Sequence, residues 1–242
     1  MTWLLDADPS IRWQVMRDLG DERDDVVVAE RSRVGSEGWG AQLLDRQRPD
    51  GKWGDGIADP QWASTLHTLL LLRQMGIDPR SERARKAVSL IRDKVTWGSE
   101  FGDSPFFEGE VEPCINGGAL ALGARSSFHT TICVLEGLLE YEKANGAAPA
   151  VTAARVRAHE YLLDRSAGVE PDERMAEAVG LVTKRRHQNG RWPRNTPHPD
   201  PVHLDMEGGR GKPSRWNTLR ASRVLRWYSA RDDDAGSVPR GR

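Results

Sequence analysis

Cysteine and long apolar runs are both scarce in this sequence. Two cysteines occur in 242 residues, too few for a disulfide framework, so both are expected to be thiols in a reducing compartment. The longest leucine run, 69–72, is far shorter than the ~20 apolar residues that cross a bilayer. Residues 1–6 lack the basic and apolar regions of a signal peptide. We therefore expect a cytoplasmic protein with no membrane span.

An excess of positive charge is also missing. Lysine plus arginine (35) nearly equal aspartate plus glutamate (36), so no net field attracts a polyanion, and no nucleic-acid partner is expected. Phenylalanine (four) and tyrosine (three) are few, whereas tryptophan occurs nine times and often stands beside glycine. This bias toward tryptophan needs a structural explanation.

Apolar spacing of helical period recurs along most of the chain, and sustained strand alternation does not occur. Asp8 followed by Pro9 is typical of a helix start. The spacing predicts an all-α protein with helices near 9–19, 40–48, 60–75, 82–95, 113–122, 127–144, 151–165, 172–187 and 214–229. Residues 97–109 and 190–213 are predicted to be loops that form lids or mouths of a site, and residues from 231 a disordered tail.

Two sequence repeats indicate two kinds of helix. Residues 46–53 and 185–192 each give a helix end, an Asx-Gly turn and then a tryptophan, where glycine would terminate the helix in the left-handed conformation and the indole would cover its end. Residues 62–66, 128–132 and 216–219 each place an aromatic residue before small hydroxyl residues and an apolar helix. Alternation of the two kinds predicts an inner and an outer ring of helices, closed or partly closed.

The repeats resemble a known superfamily. Residues 47–54 and 188–193 are similar to the glutamine-tryptophan motifs of squalene cyclases, and residues 112–114 with 128–138 resemble the zinc-site motifs of the protein prenyltransferase β subunit. The resemblance covers roughly 36–229. It implies a single α/α-toroid domain over 1–230, which includes an N-terminal helical segment at 1–35. The domain would have a lipophilic central cavity for an isoprenoid or other lipophilic small molecule.

Carried over by position, the resemblance implies that Glu112, Cys114 and His129 bind zinc. Carboxylate, thiolate and imidazole are ordinary zinc ligands, and an open fourth position would suit a catalytic site. Cys114 and His129 are equally explained as a buried core thiol and a helix-start histidine that bonds a carbonyl. Cys133 is better explained by core packing than as a fourth ligand.

The sequence also departs from the superfamily pattern. The 15 residues from Cys114 to His129 leave room for one short helix only, so a repeat is missing and the toroid is expected to be incomplete. A second copy of the chain could close it, which would make a homodimer. The Asp-x-Asp-Asp motif of protonating cyclases is absent, which disfavours that chemistry.

Further candidate residues are open to two readings each. Glu136, His203 and Asp205 are candidate catalytic groups: His203 and Asp205, with His198, could bind metal or exchange protons, and Glu136 could have a perturbed pKa. The alternatives are solvated loop residues and, for Glu136, an ion pair with an arginine.

Tryptophan and arginine supply the candidate substrate contacts. Trp62 and Trp216 could face the cavity and stabilise a carbocation, and Arg215 or Arg220 could bind a diphosphate. The alternatives are tryptophans that join helix ends and a solvated arginine face, shared with Arg223 and Arg226, that covers them.

Two functions follow. The first is a prenyltransferase-like or terpene cyclase-like enzyme, a transferase or isomerase, that uses zinc to transfer or cyclise a prenyl diphosphate. The second is a shortened, non-catalytic toroid that binds a hydrophobic ligand or a protein partner.

Overall fold

The computed structural model describes residues 1–57, 63–98, 104–107, 135–139, 141–143, 146–166, 171–195 and 201–235. The chain divides into two compact units. The larger comprises Met1–Val95, Phe107–Glu110 and Met175–Arg242, and the smaller comprises Thr96–Phe106 and Val111–Arg174. The described residues are predominantly helical.

Three helices open the larger unit: α1 (Thr2–Leu5), α2 (Pro9–Leu19) and α3 (Asp24–Ser32), followed by a 3₁₀ turn at Arg33–Gly35. Asp8 caps α2, since its carboxylate accepts the backbone N–H of Ser10 (2.9 Å). The same carboxylate accepts the backbone N–H of Trp39 (2.7 Å) at the start of the next helix. One side chain thereby fixes two helix starts.

The next helices of this unit are α4 (Gly38–Asp45), α5 (Thr65–Met75) and α6 (Glu82–Lys94). Helix α5 packs against both α4 and α6. It ends at Gly76 in the left-handed conformation, with φ of 101°. Helix α2 packs beside this end, where the indole of Trp13 donates a hydrogen bond to the carbonyl of Met75 (2.7 Å).

Two short strands, β1 (Val95–Gly98) and β2 (Ser104–Phe107), pair in a two-stranded sheet. They fall largely in the stretch 97–109 that we predicted to be a loop. In the smaller unit, residues 135–139 and 141–143 are helical and α7 spans Pro149–Ser166. A hydrogen bond from Thr152 (2.7 Å) and the Arg155 guanidinium (2.9 Å) lower the pKa of Glu142 from its ordinary value.

Helices α8 (Pro171–Lys184) and α9 (Arg215–Ala235) complete the described elements. Helix α9 packs on α2, and Leu219 of α9 is fully buried. Two ion pairs add to this packing: Arg223 binds Asp18, and Arg226 binds Asp21 through both carboxylate oxygens (2.7 and 2.6 Å). Elements from the two ends of the sequence therefore meet in the larger unit.

The core of the larger unit combines aliphatic side chains with indoles. Trp53 is fully buried, and Trp13 and Trp216 are nearly so. The other buried members of the cluster are Leu4, Ile11, Val15, Val27, Val34, Leu43, Leu44, Leu72, Met75, Ile77, Ala87 and Leu219. Tryptophan thus has a structural use here, since each indole supplies a large buried surface.

The helical prediction is confirmed at the level of class, and its boundaries are corrected in places. The helices predicted at 9–19, 82–95, 151–165 and 172–187 match α2, α6, α7 and α8 within a few residues. Helix α9 continues to Ala235, past the end at residue 229 that the spacing predicted.

Candidate ligand-binding site

The two Asx-Gly turns predicted from the sequence have one geometry. In the first, Gly51 has φ of 95° and donates its N–H to the carbonyl of Arg48 (2.8 Å), and Asp50 accepts the N–H of Lys52 (3.0 Å). Trp53 follows, and its indole N–H donates to the carbonyl of Leu43 (2.6 Å) in the last turn of α4. Helix-end carbonyls lack the usual hydrogen bond from four residues on, and the Leu43 carbonyl accepts this indole N–H together with a backbone N–H at the helix end.

The second turn repeats these contacts 139 positions later. Gly190 has φ of 78° and donates to the carbonyl of His187 (2.8 Å), and Asn189 accepts the N–H of Arg191 (3.1 Å). The indole of Trp192 donates to the carbonyl of Val182 (2.7 Å) in the last turn of α8. The left-handed glycine and the indole that covers the helix end are as predicted in both copies. The prediction that the glycine terminates the helix is wrong, because α4 ends at Asp45 and α8 at Lys184, six residues before the glycine of each turn.

The helix that follows each turn begins with the same serine cap. Ser64 and Ser214 stand immediately before α5 and α9, and each hydroxyl accepts the backbone N–H three residues later. Four residues after each serine, Thr68 or Thr218 donates its hydroxyl back to the serine carbonyl (2.8 and 2.7 Å). The two helices therefore begin with equivalent serine caps.

A loop from 193 to 213 connects the second turn to α9 and is closed at its base. Pro193 and Pro213 pair in an isolated antiparallel β-bridge. Next to it, Arg194 forms backbone hydrogen bonds with Gly211 and Lys212 (both 2.7 Å). The side-chain amide of Asn217 donates to the carbonyl of Pro193 (2.8 Å). The described parts of the loop, 193–195 and 201–213, are thus held at the start of α9.

Two side chains organise the interior of this loop. Nη1 of Arg194 donates to Asp205 (2.9 Å) and to the carbonyls of Glu207 (2.7 Å) and Gly208 (3.1 Å). The Glu207 carboxylate accepts the Ser214 hydroxyl (2.6 Å) and the backbone N–H of Trp216 (3.0 Å). A carboxylate at the first turn of a helix is favourable, so Glu207 attaches the loop to α9.

An open groove of about 480 Å³ lies between α5, this loop and α9. We call it the apolar groove, because five apolar side chains line it: Leu71, Val202, Leu204, Met206 and Trp216. Polar side chains also line it, among them Gln74, Glu207 and Arg220. The groove therefore combines an apolar wall with polar groups that could orient a ligand.

A second open groove, of about 460 Å³, borders the first. We call it the basic groove, because Arg185, His187, Arg194 and Arg210 line it together with Pro193, Asn195 and Gly211. Arg194 and Asn195 line both grooves. The segment that follows Trp192 therefore forms part of the wall of both grooves.

The predicted substrate contacts are distributed unevenly. Trp216 and Arg220 line the apolar groove. Arg215, one residue before Trp216, does not: its guanidinium donates to the carbonyls of Trp3 (3.3 Å) and Asp6 (3.1 Å) and stacks on the Trp3 ring at 4.7 Å. Consecutive residues of a helix point about 100° apart, so Arg215 contacts the N-terminal segment. Trp62 lies outside the described residues.

His203 and Asp205, the candidate acid-base pair, have separate partners. Nε2 of His203 donates to the carbonyl of Ala63 (2.7 Å) and so fastens the loop to the start of α5. Asp205 is bound to Arg194 and is otherwise exposed. Glu136 is exposed on the short helix at 135–139. His198 lies outside the described residues.

The predicted zinc ligands Glu112, Cys114 and His129, and also Cys133, lie outside the part of the chain that the structure describes. Within that part, no group of three or more histidine, cysteine, aspartate or glutamate side chains is arranged to hold a metal ion. None of the described helices combines the length and apolar composition that a bilayer span requires.

The remaining arginines of α9 contact α2. Arg223 bonds Asp18 and also the amide oxygen of Gln14 (2.8 Å). Burial opposes the charge on Asp18, but hydrogen bonds from Arg17 and Arg223 outweigh it and hold the pKa of this carboxyl below its ordinary value. Arg223 and Arg226 therefore join two helices. Arg220 makes a long contact to Gln74 (3.4 Å) and lies over the Trp216 ring at 5.5 Å.

Comparison of the chain with family models, with curated protein sequences and with solved structures gives no match. The argument for the candidate site therefore comes from the geometry and chemistry of the residues that form it. Several of these, notably Arg194, Glu207 and Leu71, were not predicted from the sequence. Leu71 belongs to an apolar helical stretch, where the pattern does not separate a groove wall from the core.

Proposed function

We propose that this chain binds a lipophilic small molecule of the isoprenoid class in the apolar groove. The observation that supports the proposal best is the convergence of apolar side chains from three elements on one open groove: Leu71 of α5, Val202 with its loop neighbours, and Trp216 of α9. Its volume, about 480 Å³, lies in the range of small-molecule sites, ~300–1,000 Å³.

The loop side chains of the groove have apolar surface that solvent still reaches. Val202 is 51% exposed, whereas Leu204 and Met206 are partly buried against the core. Covering such surface with a hydrocarbon ligand releases about 25 cal/mol per Å². A lipophilic ligand would therefore bury the apolar surface of these loop side chains that the protein itself leaves exposed.

Trp216 adds a polar reason. Its indole N–H is buried and, among the described residues, is the one buried side-chain donor or acceptor with no hydrogen-bond partner. Leaving such a group unpaired costs about 1–3 kcal/mol, and unpaired groups of this kind occur at functional sites. The groove that Trp216 lines therefore includes a side chain whose polar group the described residues leave unpaired.

A finer proposal is a prenyltransferase-like toroid with zinc at Glu112, Cys114 and His129. Its support is the resemblance of the motifs, the two equivalent indole turns and the packing of α9 on α2, which brings late and early helices together. Bound zinc would supply a Lewis acid that lowers the pKa of a coordinated thiol. Without the metal, the same groove would serve a non-catalytic binder.

Metal content distinguishes the transferase from the binder. Protein purified without added zinc is expected to contain about one equivalent, and Cys114→Ala is expected to lose it. Cys133→Ala, the predicted packing cysteine, is the matched control and should retain the metal. Absence of zinc from the wild-type chain, or full retention by Cys114→Ala, would refute the zinc proposal.

The groove itself is tested with farnesol, a neutral isoprenoid alcohol. At about a hundredfold excess over Kd, binding should raise the Tm by about 5–10 °C by mass action. Val202→Glu should weaken binding about tenfold or more, because it places a charge beside the hydrocarbon.

Val88→Glu is the control, since Val88 on α6 is also 51% exposed and does not line the groove. It should bind farnesol like the wild type. Equal binding by the two glutamate variants, or no Tm response of the wild type, would contradict the proposed site.

A further inference from the structure

The basic groove lies where a ligand in the apolar groove would end. Arg194 and Asn195 line both grooves. The end of a ligand that extends from the apolar groove past these residues would therefore contact the guanidinium of Arg194. Arg185 and Arg210 line the basic groove beyond them. The two grooves together offer an apolar wall followed by a cationic one.

Arg194 is already oriented for an anion. Its Nη1 is held by Asp205 and by the carbonyls of Glu207 and Gly208. Its Nε and Nη2 donate no hydrogen bond to the described residues, and these atoms carry three of the five N–H groups of a guanidinium. A fork with fixed orientation binds a tetrahedral anion at a smaller entropic cost than a mobile one.

Arg185 and Arg210 carry charges that no described carboxylate compensates. Both are exposed, and no ion pair or side-chain hydrogen bond joins either of them to another described residue. Arginine is suited to phosphate because its planar group forms two parallel hydrogen bonds. Two such groups and Arg194 around one groove of about 460 Å³ favour a multivalent anion over a single carboxylate.

The nearby acids do not cancel this charge. Asp205 forms an ion pair with Arg194. The Glu207 carboxylate accepts hydrogen bonds from the Ser214 hydroxyl and from the backbone N–H of Trp216 at the start of α9. Glu207 lines the apolar groove and does not line the basic one. The basic groove is lined by three arginines and no described carboxylate, whereas in the apolar groove Glu207 offsets part of the charge of Arg194 and Arg220. A multivalent anion is therefore attracted more strongly to the basic groove.

We propose that the basic groove binds a phosphate or diphosphate head group, through Arg185, Arg194 and Arg210, of an amphiphile whose hydrocarbon tail lies in the apolar groove. This inference rests on the proposed function, because the apolar groove supplies the site for the tail. It assigns the head group to residues that the sequence did not single out, and away from Arg215.

The test uses the full chain and three probes in calorimetric titrations: farnesol, farnesyl diphosphate and inorganic diphosphate. Farnesyl diphosphate should bind the wild type about tenfold or more tightly than farnesol, and this advantage should shrink as salt is raised. Arg185→Gln with Arg210→Gln should remove the advantage of the diphosphate and leave farnesol binding unchanged.

The double variant Arg46→Gln with Arg157→Gln is the matched control. It removes two exposed arginines that line neither groove, so net charge changes equally and the preference for the diphosphate should persist. Loss of that preference in the control would show a general charge effect and overturn the assignment.

Further outcomes distinguish the two proposals. If farnesol binds but farnesyl diphosphate binds no more tightly, the head-group site is refuted and the apolar groove stands. If inorganic diphosphate binds as tightly as farnesyl diphosphate, the link between the grooves is refuted. If none of the three probes binds, the proposed function fails.

Discussion

Single side chains connect the elements around the groove, and Ser64 with His67 shows how. The Ser64 hydroxyl accepts the backbone N–H of His67 (3.3 Å) and lies 3.0 Å from Nδ1 of its ring. The same hydroxyl therefore contacts both the backbone and the side chain of His67 at the start of α5.

The burial of His67 predicts that the stability of the fold depends on pH. Burial lowers the pKa of His67 below its ordinary value of 6.5. The unfolded chain then binds a proton at a higher pH than the folded one, so the stabilisation is complete above about pH 6.5. It is lost as the pH falls through the lower folded pKa.

Urea unfolding of the wild type and His67→Gln at pH 7.5 and 5.0 measures this contribution. The wild type should lose more free energy of unfolding between the two pH values than the variant, which has no titrating ring. A variant with the same pH dependence as the wild type would show that His67 does not contribute to it.

At the residue scale, local signals in the sequence were sufficient where the contact itself is local. Asp8 and the two Asx-Gly turns were predictable because cap and turn residues act within four positions. The hydrogen bonds of His203 to Ala63 and of Arg223 to Asp18 span 140 and 205 positions. No local pattern specifies such pairs, so His203 and Asp205 were grouped by their proximity in sequence alone.

At the scale of elements, the end of α5 is fixed by a glycine that no other residue can replace well. A Cβ on Gly76 would lie 2.7 Å from the ring atoms of Trp13, and the φ of 101° is unfavourable for other residues. The indole of Trp13 can bond the Met75 carbonyl only because this approach is open. Helix end and helix packing thus depend on one position.

Gly76→Ala should destabilise the larger unit by about 1–3 kcal/mol through overpacking and backbone strain. Gly180→Ala on α8 is the control, since no described atom lies within 4 Å of its Cβ. That change should be neutral or stabilise the helix by up to about 1 kcal/mol. Chemical denaturation of both variants gives the comparison, and equal stability of the two would contradict the close approach to Trp13.

The helices themselves were largely predictable, because apolar spacing and caps are periodic and local. The strands at 95–98 and 104–107 were not, since four-residue strands show too little alternation to be recognised. Helix α9 was predicted too short at its C-terminal end, because Asp232, Asp233 and Asp234 suggested a solvated tail.

For the whole molecule, the sequence indicated helical class but did not separate wall residues of a groove from core residues. Leu71 and Leu72 are adjacent in α5, yet Leu72 is fully buried and Leu71 lines the groove. The difference arises from where the loop after Trp192 is fastened, through Pro213, His203 and Glu207. Such closure is a property of the assembled unit, and only the structure shows it.

The central claim is that an isoprenoid tail lies between α5, the loop and α9. Photo-crosslinking tests it most directly, with a farnesyl diphosphate analogue that carries a diazirine at the far end of its prenyl chain and with mass-spectrometric mapping of the labelled peptides. We expect label in the peptides that contain Leu71 and Val202, and protection of both by excess farnesol. Label confined to peptides outside the apolar groove, or label that farnesol does not reduce, would contradict the claim.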